Sequence, residues 1–249
     1  MAASKVDVLI VTYNSARTLN RCLHCIKHAL PINRILVGDG GSTDSTLKIA
    51  EKHGAETYLF TGRDNMIGRI RYKLAELAET EWIVYVDSDV YLYPNWWNIM
   101  KRFAVKTIGM VMAALDGPRY SAYDEWRNKR FSFAAFSNTI VPRDLLLQCR
   151  QLLSTHVGED KVYACFVREK GYYVVPLLAY LAYHDRSEKF DAFRRWGADM
   201  RRNHDIRFLL RAQLHLRNIL WFLLEKHRFK ELPELLQQYI EMYKGFLLG

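Results

Sequence analysis

At 249 residues the chain has room for one large α/β domain, or one domain with an appendage, around a buried core. Half of its residues are hydrophobic and 13% are aromatic, which excludes an intrinsically disordered chain. The formal net charge of +9 bears on partners rather than on fold: nucleotide phosphates, an anionic membrane surface and nucleic acid all satisfy it. The opening MAASKVDVLIV has too short an apolar run, with charges too near it, for a signal peptide. No charge-free stretch is long enough to cross a bilayer, so a cytoplasmic protein is expected. Cys22, Cys25, Cys149 and Cys165 suggest no disulfide framework. Cys22 and Cys25, with His28 nearby, have the spacing of half a zinc site. No second cysteine pair follows, and Leu19, Cys22, Leu23 and Ile26 read instead as the packed face of a helix.

Residues 6–11 (VDVLIV) form a short β-branched apolar run, the pattern of a parallel strand buried on both faces. Thr12-Tyr13-Asn14-Ser15 ends it, with Asn14 or Ser15 placed to cap a helix over 16–28. Pro31 breaks that helix, residues 34–37 (RILV) make a second strand, and Gly38-Asp39-Gly40-Gly41-Ser42 reads as a turn. Thr43-Asp44 opens a helix to Lys52, with Asp44 as its cap; Gly54 stops it, and 56–60 (ETYLF) is a third strand. A helix over 67–79 leads to a fourth strand, 82–86 (WIVYV), which delivers Asp87-Ser88-Asp89 at its C-terminal end.

Strands alternating with helices predict an α/β fold with a mostly parallel sheet flanked by helices and right-handed crossovers. Ligands of such sheets bind at the carboxyl ends of the strands, where Tyr13, Asp39 and Asp87 all fall. Beyond Tyr91 the rhythm loosens. A helix over 96–103, a strand over 110–115, a polar, aromatic surface loop over 117–131 and an apolar segment over 133–141 are expected. A helix from Arg143, a helix over 158–170 and a strand from Tyr172 to His184 follow. From Asp185 onward the chain reads as helical and basic, giving a division into 1–184 and 185–249.

Asp87 and Asp89 are two carboxylates one residue apart at a strand end. Like charges that close raise each other's pKa unless a cation lies between them. A hard divalent cation, Mn2+ or Mg2+, that also binds a substrate diphosphate resolves the conflict. A solvated Asp-rich turn is the other reading of these residues alone.

Four segments occur in a telling order: VTYNSARTL at 11–19, GDGGSTDST at 38–46, RYKLAELAETEWIVYVDSD at 71–89 and Gly158-Glu159-Asp160. Gly171, Pro176 and His184 follow them. Over about residues 5–184 this order resembles glycosyltransferase family 2, inverting nucleotide-sugar transferases of the GT-A fold. The resemblance implies a nucleotide site made by Val11, Tyr13, Asp39, Arg71, Asp87 and Ser88. Within it Tyr13 would stack on the base and Asp39 would accept a hydrogen bond from it. Asp89 would bind the metal, with Asp87 and His184 as further ligands, and Arg71 would pair with the site's carboxylates or the donor phosphates. Asp160 would be the general base, with Glu159 holding the acceptor or tuning its neighbour. Arg63 and Arg69 compete with Arg71 in sequence, and Tyr72 stands where the family often has Asn. Plainer readings exist for each: a core tyrosine at 13, an Asp-Gly turn at 39, acids favouring a helix dipole at 159 and 160, and a structural histidine at 184.

In the tail, Ala192-Phe193-Arg194-Arg195-Trp196 is similar to the Q-x-x-R-W motif of processive polysaccharide synthases, with Ala in place of Gln. No spanning helices accompany it, so a non-processive transferase is expected. Residues 206–224 are apolar with Arg207, Arg211 and Arg217 interspersed. They would lie on an anionic membrane, pack on the catalytic domain or form a homodimer. Membrane contact would favour a lipid-linked acceptor over a free glycan, and the donor is expected to be a UDP- or GDP-sugar. Two other classes stay open. A sugar-nucleotide nucleotidyltransferase would carry a glycine-rich loop after the first strand, which VTYNSARTL lacks; a catalytically silent glycan- or membrane-binding module would not need both acidic motifs. No nucleic-acid-binding motif is present, so no nucleic-acid partner is expected.

Overall fold

The computed structural model describes residues 5–116, 135–156, 158–185, 230 and 232–248. The loop expected over 117–131, the segment at 192–196 and the apolar stretch 206–224 lie outside them. The described residues up to Asp185 form one compact unit, and those from 230 on belong to a second.

The first unit is built on an eight-stranded sheet in the order β3-β2-β1-β4-β7-β6-β8-β5. Its first half comprises β1 (Val6–Thr12), β2 (Ile32–Asp39), β3 (Glu56–Leu59) and β4 (Trp82–Val86). These four strands pair in parallel throughout. They are joined by α1 (Ala16–Ala29), α2 (Thr46–Lys52) and α3 (Ile67–Leu77). The second half is mixed. β5 (Val90–Leu92), α4 (Trp96–Met100), β6 (Ile108–Asp116), β7 (Asn138–Pro142), α5 (Arg143–Leu146), α6 (Glu159–Glu169) and β8 (Tyr173–His184) follow in the chain. β7 lies antiparallel between β4 and β6, and β5 antiparallel on β8, while β6 and β8 are parallel. The sheet expected from sequence is present, parallel throughout its first half and mixed in its second.

The double-sided burial of β1 explains its unbroken apolar run. Val6, Val8 and Ile10 pack with Leu19, Cys22, Leu23 and Ile26 of α1, and Leu9 faces Ile70 and Leu74 of α3 on the other side. Each such side chain, fully buried, contributes about 1.5–3 kcal/mol, and Leu9→Ala would cost roughly 2–5 kcal/mol through the cavity it leaves. The packed helix face expected at Cys22 is present: Cys22 is fully buried and its thiol donates to the carbonyl of Asp87 at 3.4 Å.

Element ends differ from expectation in three instructive places. β2 is longer, because pairing with β1 carries it from Ile32 to Asp39. α2 begins at Thr46 rather than at Thr43. The start of α1 is not capped by the side chain of Ser15 or Asn14. Asp44 does this from 28 residues away, accepting from Ala16 N at 3.1 Å, while its other oxygen accepts from Thr46 N at 3.0 Å. One carboxylate thus caps two helices, and those hydrogen bonds outweigh its partial desolvation to hold it below the usual carboxylate range.

In the second unit the described element is α7 (Leu232–Leu248). Leu236, Ile240 and Leu247 are exposed apolar residues along it. No helix among the described residues is long and apolar enough to cross a membrane.

Candidate active site

Three loops meet at the carboxyl ends of β1, β2 and β4. Asn14, in a left-handed conformation at φ 48°, ties the first to the second: its N–H donates to Ser42 Oγ (2.7 Å) and its Oδ1 accepts from Thr43 N (2.8 Å). Asparagine tolerates that conformation better than other non-glycine residues. Ser15 Oγ and Ser88 Oγ, 2.9 Å apart, tie the first to the third. Tyr13, just past β1, is 51% exposed, so the core-tyrosine alternative does not hold. Val11 sits in β1 opposite Gly38, partly buried.

Asp39 is fully buried. Its Oδ1 accepts from the N–H groups of Gly41 (2.8 Å) and Ser42 (2.7 Å), and its Oδ2 from the Ser42 hydroxyl (2.5 Å). The turn-forming role is thus realised, and it uses most of the carboxylate's acceptor capacity.

The acidic triplet splits its members among different partners. Asp87 Oδ1 accepts from Arg71 Nη2 at 2.8 Å, and Arg71 Nε reaches Glu159 Oε1 at 3.2 Å. Arg71 is 5% exposed and lies against the rings of Tyr85 and Phe136. Its Nη1 is buried without a hydrogen-bond partner among the described residues, and those two ring faces are its electrostatic compensation. Burial alone would lower the pKa of this guanidinium, but Asp87 and Glu159 overcome that and raise it. For Glu159 the balance goes the other way. Desolvation outweighs the attraction of Arg71, with Asp160 adding to it, and holds the carboxyl above the usual range. Of the three arginines that competed in sequence, Arg69 is committed elsewhere, to Leu153 O and Asp64.

Asp89 meets His184. The Val90 N–H donates to Asp87 O (3.0 Å), turning the chain into β5, and Val90 pairs with His184 in the β5–β8 ladder. Asp89 Oδ2 and His184 Nε2 are consequently 3.1 Å apart, from residues 95 positions distant. Sequence reasoning missed β5, whose three residues are too few to show a period, and with it a supporting cluster. Asp185 donates its N–H to Asp89 O at 2.9 Å, and its Oδ2 accepts from Tyr91 OH and Arg17 Nη1, each at 3.0 Å. Desolvation would raise the Asp185 carboxyl, but those two hydrogen bonds carry it below its usual range. The adjacency of Asp185 to His184 was the one signal in the sequence. Among the described residues no three His, Cys, Asp or Glu side chains are grouped so as to hold a metal ion by themselves.

Asp160 opens α6 beside Glu159. Its side chain is partly exposed, and its Oδ1 accepts from Lys161 N at 2.7 Å. The two acids that sequence placed together therefore part company: Glu159 turns inward to Arg71 and Asp160 stays at the surface of the site.

Residues 7–166 match the model of the family described as Glycosyl transferase family 2. The chain belongs to that family. This glycosyltransferase domain has the GT-A fold, shared with glucosyl-3-phosphoglycerate synthase from Mycobacterium tuberculosis. A crystal structure of that enzyme holds Mn2+, UDP and glucosyl-3-phosphoglycerate. It aligns with a TM-score of 0.57 and 16% identity over 77% of this chain and 75% of that one. Cholesterol galactosyltransferase of Borreliella burgdorferi is 33% identical over 90 residues, 34% of this chain and 25% of that protein. The SPbeta prophage-derived glycosyltransferase SunS of Bacillus subtilis is 31% identical over 81 residues, 32% of this chain and 19% of that protein. The glycosyltransferase domain thus matches a third or less of the length of these curated relatives.

Proposed function

We propose that this family 2 glycosyltransferase moves a sugar from a nucleotide diphosphate sugar to a hydroxyl or phosphate acceptor, one sugar per encounter and with inversion. The observation that carries the reading is the meeting of Asp89 with His184 two residues from the Asp87–Arg71 ion pair, at the strand ends that also present Tyr13. Asp89 Oδ2 and His184 Nε2, 3.1 Å apart, suit two neighbouring ligands of one divalent cation whose remaining positions go to diphosphate oxygens and water. Mn2+ or Mg2+ bound there would supply Lewis-acid relief of the charge on the departing nucleoside diphosphate. The Mn2+ and UDP in the mycobacterial synthase support this choice of donor and cation.

The chain's own residues have separable tasks. Tyr13, exposed at the end of β1, offers a face to the base, and the loop held by Asp39 offers backbone beside it. Arg71 fixes the Asp87 carboxylate toward the ribose and the diphosphate. Asp160 takes the proton of the acceptor hydroxyl as its oxygen bonds to the anomeric carbon. The bond from that carbon to the diphosphate oxygen breaks on the opposite face, and its electron pair leaves with the nucleoside diphosphate.

A catalytic domain over 1–184 and a helical extension over 185–249 belong to the same proposal, with the basic stretch 206–224 bringing the domain to a lipid-linked acceptor on an anionic membrane. Flotation with anionic vesicles at low salt tests that part; protein left in solution removes it, and a concentration-dependent mass would favour a homodimer instead. The donor site is tested by thermal shift with UDP, GDP and dTDP, each with and without Mn2+. Metal-dependent stabilisation by one of them is expected, and its absence for all three would end the donor-site reading.

A further inference from the structure

We propose that Glu159 is a positioning residue of the donor site, acting on Asp87 through Arg71, and has no task toward the acceptor. The proposal rests on the donor-site reading above.

The geometry begins with how α6 is docked. The segment ahead of it meets the first turn of α3: Gly68 N donates to Thr155 O at 3.0 Å and Ile67 N to His156 Nδ1 at 3.1 Å. A Cβ on Gly68 would stand 2.5 Å from Thr155 O, 2.7 Å from Leu152 O and 3.2 Å from the Glu159 Cβ. The approach is therefore as close as two backbones permit, and only glycine allows it. One turn further along α3 comes Arg71, on the same face as Ile67. The Glu159 side chain, 11% exposed, enters the space beside it and accepts from Nε.

A guanidinium is a rigid planar fork, so a partner on Nε fixes the direction of Nη2. Nη2 is the atom that holds Asp87. Glu159 thus sets the aim of the Asp87 carboxylate from 72 positions away in the chain. Its Oε1 is committed to the arginine in a side chain that is 11% exposed, whereas Asp160, about 100° further round the helix, is the more exposed of the two acids. Because Nε donates to a neutral carbonyl as well as to a carboxylate, the tie survives in either protonation state.

The test is titration of the full-length protein with UDP in the presence of Mn2+, joined to amide hydrogen exchange of residues 158–162 in the free protein. Glu159→Ala should weaken UDP binding about tenfold, in the range found when a supporting residue is removed from a metal site. It should also speed exchange at the start of α6. Glu159→Gln, whose side-chain carbonyl still accepts from Nε, should recover most of both. Arg71→Lys, which keeps the charge but loses the fork, should weaken UDP as much as Glu159→Ala does, and the pair combined should be no weaker than either alone. Wild-type UDP affinity and unchanged exchange in Glu159→Ala would overturn the proposal, as would a Glu159→Gln variant as impaired as the alanine. Asp160→Asn should leave UDP affinity intact, so failure of the base assignment is read separately. If the wild type binds none of UDP, GDP or dTDP, the donor reading fails while hydrogen exchange still decides whether Glu159 and Arg71 hold one another.

Discussion

Asp7 and Asp89 stand at opposite strand ends of the same sheet and show two uses of a carboxylate. Asp7, near the amino end of β1, is fully buried; it accepts from Asn33 Nδ2 (2.9 Å) and from the backbone of Glu79 (2.5 Å) and Thr80 (3.0 Å). Its Oδ2 closes the loop between α3 and β4, and its Oδ1 is taken by Asn33 of β2. Asp89, past the carboxyl end of β4, has a side chain 36% exposed and faces His184, an imidazole that can itself bind a cation. A carboxylate satisfied by backbone N–H groups belongs to the fold, and one whose neighbour is another ligating side chain is open to chemistry. Asp39 marks the boundary, lying at the functional end yet filled by its own turn.

The contrast can be broken by experiment. The largest effect is expected for Asp160→Asn, which should cut transfer by roughly 10²–10⁴-fold, the usual worth of a general base, while the UDP–Mn2+ thermal shift persists. Ordinary turnover in that variant would remove Asp160 from the mechanism. Asp89→Ala should abolish the metal-dependent part of the shift. His184→Ala should move it to higher Mn2+ concentration by at least the roughly 10–100-fold seen when a residue supporting a metal's ligands is lost. Asp7→Ala should do the reverse. Urea denaturation should show a loss of roughly 2–4 kcal/mol from unsatisfied backbone donors, with the nucleotide response of the folded protein unchanged. If Asp7→Ala erased the metal-dependent shift while Asp89→Ala merely destabilised, the division between the two ends would collapse.

The smallest effect is a pH dependence. Burial raises the Glu159 pKa, so the folded chain holds that proton more tightly than the unfolded one. Stability should therefore decline as pH rises above the ordinary Glu value of about 4.3, until the folded group has also lost its proton. Melting temperatures of wild type and Glu159→Gln, followed from pH 4 upward without metal or nucleotide, should diverge over that window. Parallel curves would show that Glu159 ionises as freely in the folded chain as in the unfolded one.

What the sequence disclosed follows from how local each signal is. β1, β2 and β4 are apolar runs closed by turn-forming segments (Thr12-Tyr13-Asn14-Ser15, Gly38-Asp39 and Asp87-Ser88), and their order alone placed Tyr13, Asp39 and Asp87 at one set of strand ends. The choice of Arg71 over Arg69 is tertiary, since Arg69 differs only in finding Leu153 O and Asp64. The burial of Glu159 was illegible for the same reason. An acidic first turn looks alike whether its side chains face water or an arginine 88 positions away. Sequence shows Asp44 as a cap for the helix beside it, and its second service to α1 depends on a loop crossing that no local window contains.

β8 carries a consequence for how this scaffold tolerates change. Between Leu177 and Ala182 it advances five residues while the paired stretch of β6, from Ala113 to Leu115, advances two. Leu178, within the surplus, is 86% exposed, while Tyr180 still pairs with Ala114. Regular pairing resumes at Ala182 and brings His184 opposite Val90. Since side chains alternate sides along a strand, the irregular stretch sets the phase in which the imidazole arrives. Two residues gained or lost there would keep that phase, while a single one would swing His184 to the far face of the sheet and leave Asp89 without its neighbour.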